Sequence, residues 1–160
     1  MRLIVAAVGR LKDGPERVLL ERYRQRLEAL GKRLGLTSIA WLETPESRAS
    51  SPAQRLSEEG ARLLKLAAGA EFVVALDEGG KLLSSHLFAS TLGKARDAGT
   101  GAMAFLVGGP DGLSPEVLQA ARLKLSLSAM TLPHGLARIV LAEQLYRAAT
   151  ILAGHPYHRD

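Results

Sequence analysis

The sequence predicts an α/β fold in which a mainly parallel sheet is flanked by helices within a single domain, residues 1–160. Two observations predict it. Four runs of continuous aliphatic residues have the length of buried strands, at residues 3–8, 36–42, 72–76 and 103–107. Helical patterns separate them, and continuous apolar strands alternating with helices are typical of a parallel sheet covered on both faces. A chain of 160 residues suits one such domain.

The helices between these runs carry their own start signals. The first helix presents an apolar stripe between Leu19 and Leu34. Ser51 and Pro52 mark the start of the second, and Ser114, Pro115 and Glu116 repeat this cap-and-proline pattern after the fourth strand. A fifth strand over residues 123–127 alternates instead, with leucines on one face and Lys124 and serines on the other, which predicts one polar face.

The last helix, about residues 136–152, is apolar on nearly every side. A helix of this kind must be buried on more than one face. One interpretation is that a second copy of the chain covers it in a two-fold homodimer. The other is that it is simply the central helix of the monomer, and the pattern does not decide between them.

Composition excludes several classes of protein. The chain has no cysteine, so it has no disulfide and no cysteine-based nucleophile or zinc site. The apolar run at residues 3–8 is too short for a secretory signal or a membrane span, so we expect a cytoplasmic protein that contacts no membrane. His155 and His158 lack the further ligands of a metal site, so no metal is expected. The net charge of +5 gives mild support to an RNA partner.

Three segments are candidate binding elements, although each also has a simpler explanation. The glycine-rich turn at residues 108–112 follows the fourth strand, where open α/β sheets bind ligands, but it could be an ordinary turn. Residues 127–135 could wrap a ligand with main-chain groups or could be a buried connection. The tail at residues 154–160 could handle protons and contact RNA, or could be a frayed terminus.

Taken in order, these motifs resemble one family. They are Leu76-Asp77, then Val107-Gly108-Gly109-Pro110-Asp111-Gly112-Leu113-Ser114, then residues 125–134, then Ala142-Glu143-Gln144-Leu145-Tyr146-Arg147-Ala148, then His155-Pro156-Tyr157-His158-Arg159. The chain thereby resembles the RlmH family, which methylates N3 of a pseudouridine in large-subunit (23S) ribosomal RNA and belongs to the SPOUT methyltransferases. The resemblance covers essentially the full length and is most specific in the second half. Asp111, Met130 and Gly154 are small departures from the family pattern.

The resemblance implies features that the residue patterns alone do not give. It implies a C-terminal trefoil knot, a homodimer, and S-adenosylmethionine as methyl donor, with S-adenosylhomocysteine as product. The target that it implies lies in the decoding-site stem-loop of the assembled ribosome. The cofactor contacts that it implies fall on Leu76, Gly108, Leu127, Ser128, Ala129, Met130, Thr131 and Leu132.

Four residues are candidates for the chemistry at the pyrimidine. His158 is the best general base by residue type, since an imidazole titrates near neutral pH. Tyr157 could stack on the base or orient it, and Arg159 and Arg147 could hold phosphate or stabilise negative charge on the ring. Two other functions stay open: a non-enzymatic ribosome-binding or assembly factor, and a SPOUT methyltransferase that acts on transfer RNA.

Overall fold

The computed structural model describes residues 1–157 as five strands, five α-helices and one short 3₁₀ turn. The strands are β1 (Arg2–Val8), β2 (Ser38–Thr44), β3 (Phe72–Leu82), β4 (Ala102–Val107) and β5 (Leu123–Ser126). The helices are α1 (Pro15–Gly31), α2 (Pro52–Leu66), α3 (Ser85–Asp97), α4 (Pro115–Ala120) and α5 (His134–Leu152), with the 3₁₀ turn at Lys32–Leu34.

The five strands form one sheet in the order β2-β1-β4-β3-β5, and every neighbouring pair is parallel. Helices α1, α3 and α5 cover one face, where the core includes Leu27, Leu92, Phe105 and Leu145. Helices α2 and α4 cover the other through Leu63 and Val117. The predicted α/β class, with a parallel sheet between helices, is confirmed.

Strand boundaries differ from the prediction at β2 and β3. Leu36 is buried but belongs to the turn after the first helix, where its N–H donates to the carbonyl of Gly31 at 2.9 Å, so β2 begins two residues later. Strand β3 continues through polar residues to Leu82, because Lys81 and Leu82 pair with β5 after a register shift.

Helix α3 was not identified from the sequence patterns. It begins where the Ser84 hydroxyl accepts a hydrogen bond from Leu87 N–H.

The last helix is the central helix of its layer. It packs between α1 and α3, and Leu141, Ala142, Leu145, Ala148 and Ala149 have no exposed surface. Its all-round apolar pattern is therefore accounted for within one protomer and does not require a second copy. The residues described include no helix with the length and apolarity to cross a membrane.

Candidate functional site

A cleft opens at the carboxyl ends of β3, β4 and β5, the edge at which parallel sheets bind ligands. Its empty volume, including the open mouth, is about 620 Å³, within the usual size of small-molecule sites. Three stretches of chain line it: the end of β3, the glycine turn after β4 and the irregular segment after β5. The lining residues are Leu76, Asp77, Glu78, Val107, Gly108, Gly109, Gly112, Leu125, Ser126, Leu127, Ser128, Met130, Thr131, Leu132, His134 and Ala137.

The cleft therefore brings together seven of the eight predicted cofactor residues. The eighth, Ala129, lies in the same segment but is not part of the lining, and its side chain is exposed. Asp77 and Glu78 were not predicted as site residues, although they directly follow the buried part of β3. Their position after a strand end was the available signal, and they place two carboxylates beside an otherwise small and apolar lining.

The glycine turn is closed so tightly that its first residue must lack a side chain. A Cβ on Gly108 would lie 2.2 Å from the carbonyl oxygen of Gly112. Gly112 itself has φ +90°, a conformation that side chains disfavour, and its N–H donates to the Gly109 carbonyl at 3.0 Å. These glycines leave main-chain atoms as the surface that the turn presents to the cleft.

Helix α2 holds the glycine turn from behind. Arg55 makes a bidentate ion pair with Asp111, with Nε–Oδ2 and NH2–Oδ1 distances of 2.6 and 3.1 Å. This hydrogen bonding lowers the pKa of the Asp111 carboxyl and raises the pKa of Arg55. One turn later, the buried Glu59 accepts from Ser47 N–H at 2.7 Å, and its other oxygen lies 3.1 Å from where a Cβ of Gly109 would be. The shape of the turn thus depends on one face of α2.

The segment after β5 is organised by its own serines. Ser126 Oγ donates to the Ser128 carbonyl at 2.8 Å, and Ser128 Oγ accepts from Met130 N–H at 2.9 Å. These local bonds replace secondary structure as the support of the segment. Met130 is 78% exposed at the cleft mouth, so the volume-conserving departure at this position affects the rim of the site.

A second polar cluster surrounds Glu143 in the middle of α5. Arg147 Nε donates to Glu143 Oε1 at 2.9 Å, and the Tyr157 hydroxyl donates to the same oxygen at 3.2 Å. The guanidinium of Arg147 also lies over the Tyr157 ring, 5.1 Å from its centre. Two of the four predicted catalytic residues, Arg147 and Tyr157, are therefore neighbours. Glu143, which joins them, was not predicted as a site residue, although it shares a helical stripe with Arg147.

Burial, a hydrogen bond with Tyr23 and the charge of Glu143 raise the pKa of Tyr157 to about 12. The phenol is therefore protonated at neutral pH and acts as a hydrogen-bond donor. The Glu143 carboxylate is further fixed by Gln144, whose Nε2 donates to Glu143 Oε2 at 2.6 Å and whose Oε1 accepts from Ser85 at 2.7 Å. This cluster is a connected hydrogen-bond network.

The cleft and the Glu143 cluster are separated within one protomer. Ala137 lines the cleft and Arg147 lies ten residues further along α5, a helical rise of about 15 Å. The other two predicted catalytic residues, His158 and Arg159, lie outside the described residues. Within residues 1–157 there is no cluster of histidines and carboxylates suited to a metal ion.

Arg138, at the start of α5, ties the helix to the carboxyl ends of β1 and β2. It is 3% exposed, donates to the Val8 carbonyl, and pairs with Glu43 at 3.2 Å. Burial lowers its pKa, and the charge of Glu43 opposes that shift. The first turn of α5, which contributes His134 and Ala137 to the cleft, is anchored by this buried guanidinium.

Comparison with known proteins gives consistent matches. Residues 1–158 match the family model described as "Predicted SPOUT methyltransferase". The chain is 53% identical to a Nitrobacter hamburgensis protein and 51% identical to a Bradyrhizobium protein, each named ribosomal RNA large subunit methyltransferase H. Both alignments span 159 residues and cover 99% of both chains.

Two solved structures share the fold at low sequence identity. A probable methylase family protein from Haemophilus influenzae aligns with a TM-score of 0.54 at 13% identity, covering 99% of this chain and 70% of that one. TrmJ from Z. mobilis aligns with a TM-score of 0.52 at 14% identity, covering 92% and 70%. At such identities the likeness concerns the fold alone.

Proposed function

The chain belongs to the SPOUT methyltransferase family, and on that premise we propose that it transfers a methyl group from S-adenosylmethionine to large-subunit ribosomal RNA. The observation that carries the proposal is the cleft at the carboxyl edge. It is formed by the strand end, glycine turn and irregular segment in which the family resemblance places the cofactor contacts. The relatives that are about half identical over their whole length are named for this activity.

The cleft suits S-adenosylmethionine in size and in chemistry. Leu76, Val107, Leu127 and Leu132 offer apolar surface for a flat adenine ring, and the glycine turn brings main-chain groups close to the cleft. Asp77 and Glu78 offer negative charge to a cationic ligand. When bound, the cofactor supplies an electrophilic methyl group on a sulfonium.

We propose N3 of a pseudouridine in the decoding-site stem-loop of 23S RNA as the acceptor, on the assembled ribosome in the cytoplasm. This target follows from the family resemblance. The described fold supports the ribosomal context, because one small α/β domain can take specificity from the shape of an assembled target.

The chain's own residues must hold the pyrimidine in line with the methyl group and remove its N3 proton. Tyr157 is unsuited to be the base, because its raised pKa keeps the phenol protonated. We assign it to orienting the pyrimidine, and His158 to accepting the proton. Arg147 and Arg159 would stabilise the negative charge that deprotonation leaves on the ring oxygens. Glu143 fixes Arg147 and Tyr157 in place.

A homodimer would reconcile this chemistry with the separation of about 15 Å along α5. A second protomer could supply its Glu143 cluster and tail to the cleft. Exposed large apolar side chains support a partner at the carboxyl edge, since they occur near the starts of α1, α3 and α5, at the end of β3 and in the segment after β5. These residues are Val18, Leu19, Leu82, Leu87, Met130 and Leu136. Sedimentation at micromolar concentration should give the mass of a dimer, and a monomeric mass would contradict this part.

We further propose that the C-terminal part of the chain forms a trefoil knot. The contacts that support it lie around Gly80, where a Cβ would be within 2.8 Å of the backbone of Lys124 and Leu125, so the part of β3 after residue 76 lies directly against β5. The cysteine-free chain allows a test. Cysteines added at both ends are crosslinked in the folded protein, which is then denatured. A knotted ring should be more compact than an unknotted ring crosslinked before folding, and equal hydrodynamic radii would contradict the knot.

The decisive experiment is methyl transfer from radiolabelled S-adenosylmethionine to ribosomes that lack their native methylation, followed by nuclease mapping of the label. Label at N3 of a 23S pseudouridine is the expected result. Parallel reactions with protein-free 23S RNA and with transfer RNA test the context, and label on transfer RNA instead would favour the other SPOUT activity. Absence of both transfer and cofactor binding by calorimetry would leave a non-enzymatic ribosome-binding factor.

A further inference from the structure

The positive charge of the molecule is concentrated at the amino edge of the sheet, opposite the cleft. Here the strands begin and α1, α2 and α3 end. We define the amino-edge patch by its cations, which are Arg2, Lys32, Arg33, Lys65, Lys94, Arg96 and Arg122. The acids at this edge are Glu28, Glu71 and Asp97. Seven cations against three acids give an excess of four positive charges, most of the net charge of the whole chain, +5.

The cations of the amino-edge patch are mostly free of ion pairs. Within the described part of the chain, only Arg96 of this group has a carboxylate partner, Asp97 at 2.8 Å. Arg122 lies over the Phe72 ring. By contrast, Arg55 and Arg138 beside the cleft are paired with carboxylates. The amino-edge patch thus directs mostly unpaired positive charge to solvent.

Helix dipoles account for only part of this arrangement. Lys65, Lys94 and Arg96 lie in the last turns of α2 and α3, where cations are favoured in any protein. Arg2 instead lies at the start of β1, where no helix ends, and Arg122 follows the short helix α4 and lies over the Phe72 ring. Both are exposed. A polyanion that lies across this edge would explain both sets together.

We propose that the amino-edge patch is a second RNA-binding surface, which holds the phosphate backbone of ribosomal RNA remote from the methylated nucleotide. The inference rests on the proposed function for the identity of the polyanion. The strands between the two edges have up to seven residues, so within one protomer the patch and the cleft are roughly 20 Å apart. Phosphates bound at the patch therefore lie remote from the nucleotide at the cleft of the same protomer.

The test compares two variants that lose the same charge. The edge variant carries Arg33→Gln, Lys65→Gln and Lys94→Gln. The matched control carries Arg10→Gln, Arg22→Gln and Arg48→Gln, which removes exposed cations without ion pairs elsewhere on the chain. Binding to unmethylated ribosomes is measured without cofactor across a salt series, and methyl transfer and cofactor affinity are measured separately.

Each lost phosphate contact should lower the slope of log affinity against log salt by about 1. The edge variant should therefore lose about 2 to 3 in slope and bind at least about tenfold more weakly at low salt. The control should lose less, and cofactor affinity should be unchanged in both. A slope in the edge variant no lower than that of the control would overturn the proposal.

The two proposals fail separately in this design. A wild-type protein that binds ribosomes with a steep salt dependence, and loses it in the edge variant, supports the amino-edge patch even where no methyl is transferred. Methyl transfer by all three proteins with equal slopes would retain the proposed function and contradict the patch.

Discussion

The cleft and the Glu143 cluster are built in different ways. The cleft is made from the ends of three strands and the loops that leave them, and it presents small residues and main-chain atoms. The Glu143 cluster is made from long polar side chains on one helix and on the chain that follows it. The cleft depends on how the backbone is folded, whereas the Glu143 cluster depends on which side chains lie along one face of α5.

This difference teaches where each kind of chemistry is placed. A cofactor that must be held in one pose suits a rigid backbone cradle, which the tight Gly108 turn and the α2 ion pair supply. Proton transfer and charge stabilisation need titratable and cationic side chains, which in the proposed function would come from the cluster and from the residues that follow Tyr157. Substitutions in the cleft should therefore affect cofactor affinity, while substitutions in the cluster should affect the rate of transfer.

The largest expected effect is that of Gly108→Ala. The added Cβ would lie 2.2 Å from the Gly112 carbonyl oxygen, so the glycine turn must open and the cleft must change shape. We expect cofactor affinity to fall at least about a hundredfold by calorimetry, with methyl transfer undetectable.

Gly99→Ala is the matched control for backbone strain. Gly99 has φ +81° in the turn before β4, with nothing within 4 Å of an added Cβ. The substitution Gly99→Ala should cost about 1 kcal/mol of stability and leave cofactor affinity unchanged. Wild-type affinity in Gly108→Ala would show that the turn does not form the cofactor site.

The next effect concerns the candidates for chemistry. His158→Ala and Arg159→Ala should each lower methyl transfer by about a hundredfold or more, as expected for loss of a general base or of a charge-stabilising group. Cofactor affinity should remain within about twofold, because no residue of the Glu143 cluster lines the cleft. An equal loss of cofactor affinity would show that the tail supports the fold of the cleft instead.

Mixing defective subunits sharpens this prediction. When Gly108→Ala and Arg159→Ala proteins are unfolded and refolded together, half of the dimers combine one subunit of each kind. If a cleft and a tail from different subunits form one site, each mixed dimer regains one complete site. About a quarter of wild-type transfer should then return. Recovery that never exceeds that of the separate variants would place both parts in one subunit.

The sequence predicts the sheet well, since continuous aliphatic runs are unambiguous when both faces are buried. Sequence-based prediction fails where a single strand passes from a buried part into an exposed part. Strand β3 continues through Asp77–Lys81 because β5 pairs with it, a long-range contact with no local pattern. For α5 the apolar pattern left two explanations open, a second copy or a central helix, and the cover that α1 and α3 give it within one protomer makes the second sufficient.

The candidate site is predictable to a similar degree. The family resemblance placed Leu76, Gly108 and residues 127–132 together, and the fold brings all but Ala129 to one cleft. It could not show that Arg147 and Tyr157 lie apart from that cleft, because separation along a helix depends on where the helix begins relative to the sheet. Nor could it identify Arg55, whose relevance depends on contact with Asp111 across 56 residues of chain.

A smaller effect should come from that Arg55–Asp111 ion pair. Both side chains are partly exposed, so Arg55→Gln or Asp111→Asn should weaken cofactor binding only about two- to fivefold. The exchange Arg55→Asp with Asp111→Arg should recover part of the loss, because the attraction between α2 and the glycine turn is restored. Calorimetry on all four proteins measures the coupling, and strictly additive losses would show that the pair does not shape the turn.

The smallest effect is on pH dependence at Tyr157. Its pKa rises from 10.0 to about 12 on folding, so the folded protein keeps its proton where the unfolded chain loses it. The stability contributed by this phenol is complete below pH 10 and is lost as the pH rises towards 12. The difference in ultraviolet absorbance between wild type and Tyr157→Phe should show a late phenolate transition.

Glu143→Gln should move that transition to lower pH without returning it to 10, because burial is the largest cause of the shift and the charge of Glu143 a lesser one. An unchanged midpoint would mean that Glu143 does not face Tyr157 in solution. The ion pair between Glu143 and Arg147 would then hold the guanidinium without help from the Tyr157 hydroxyl.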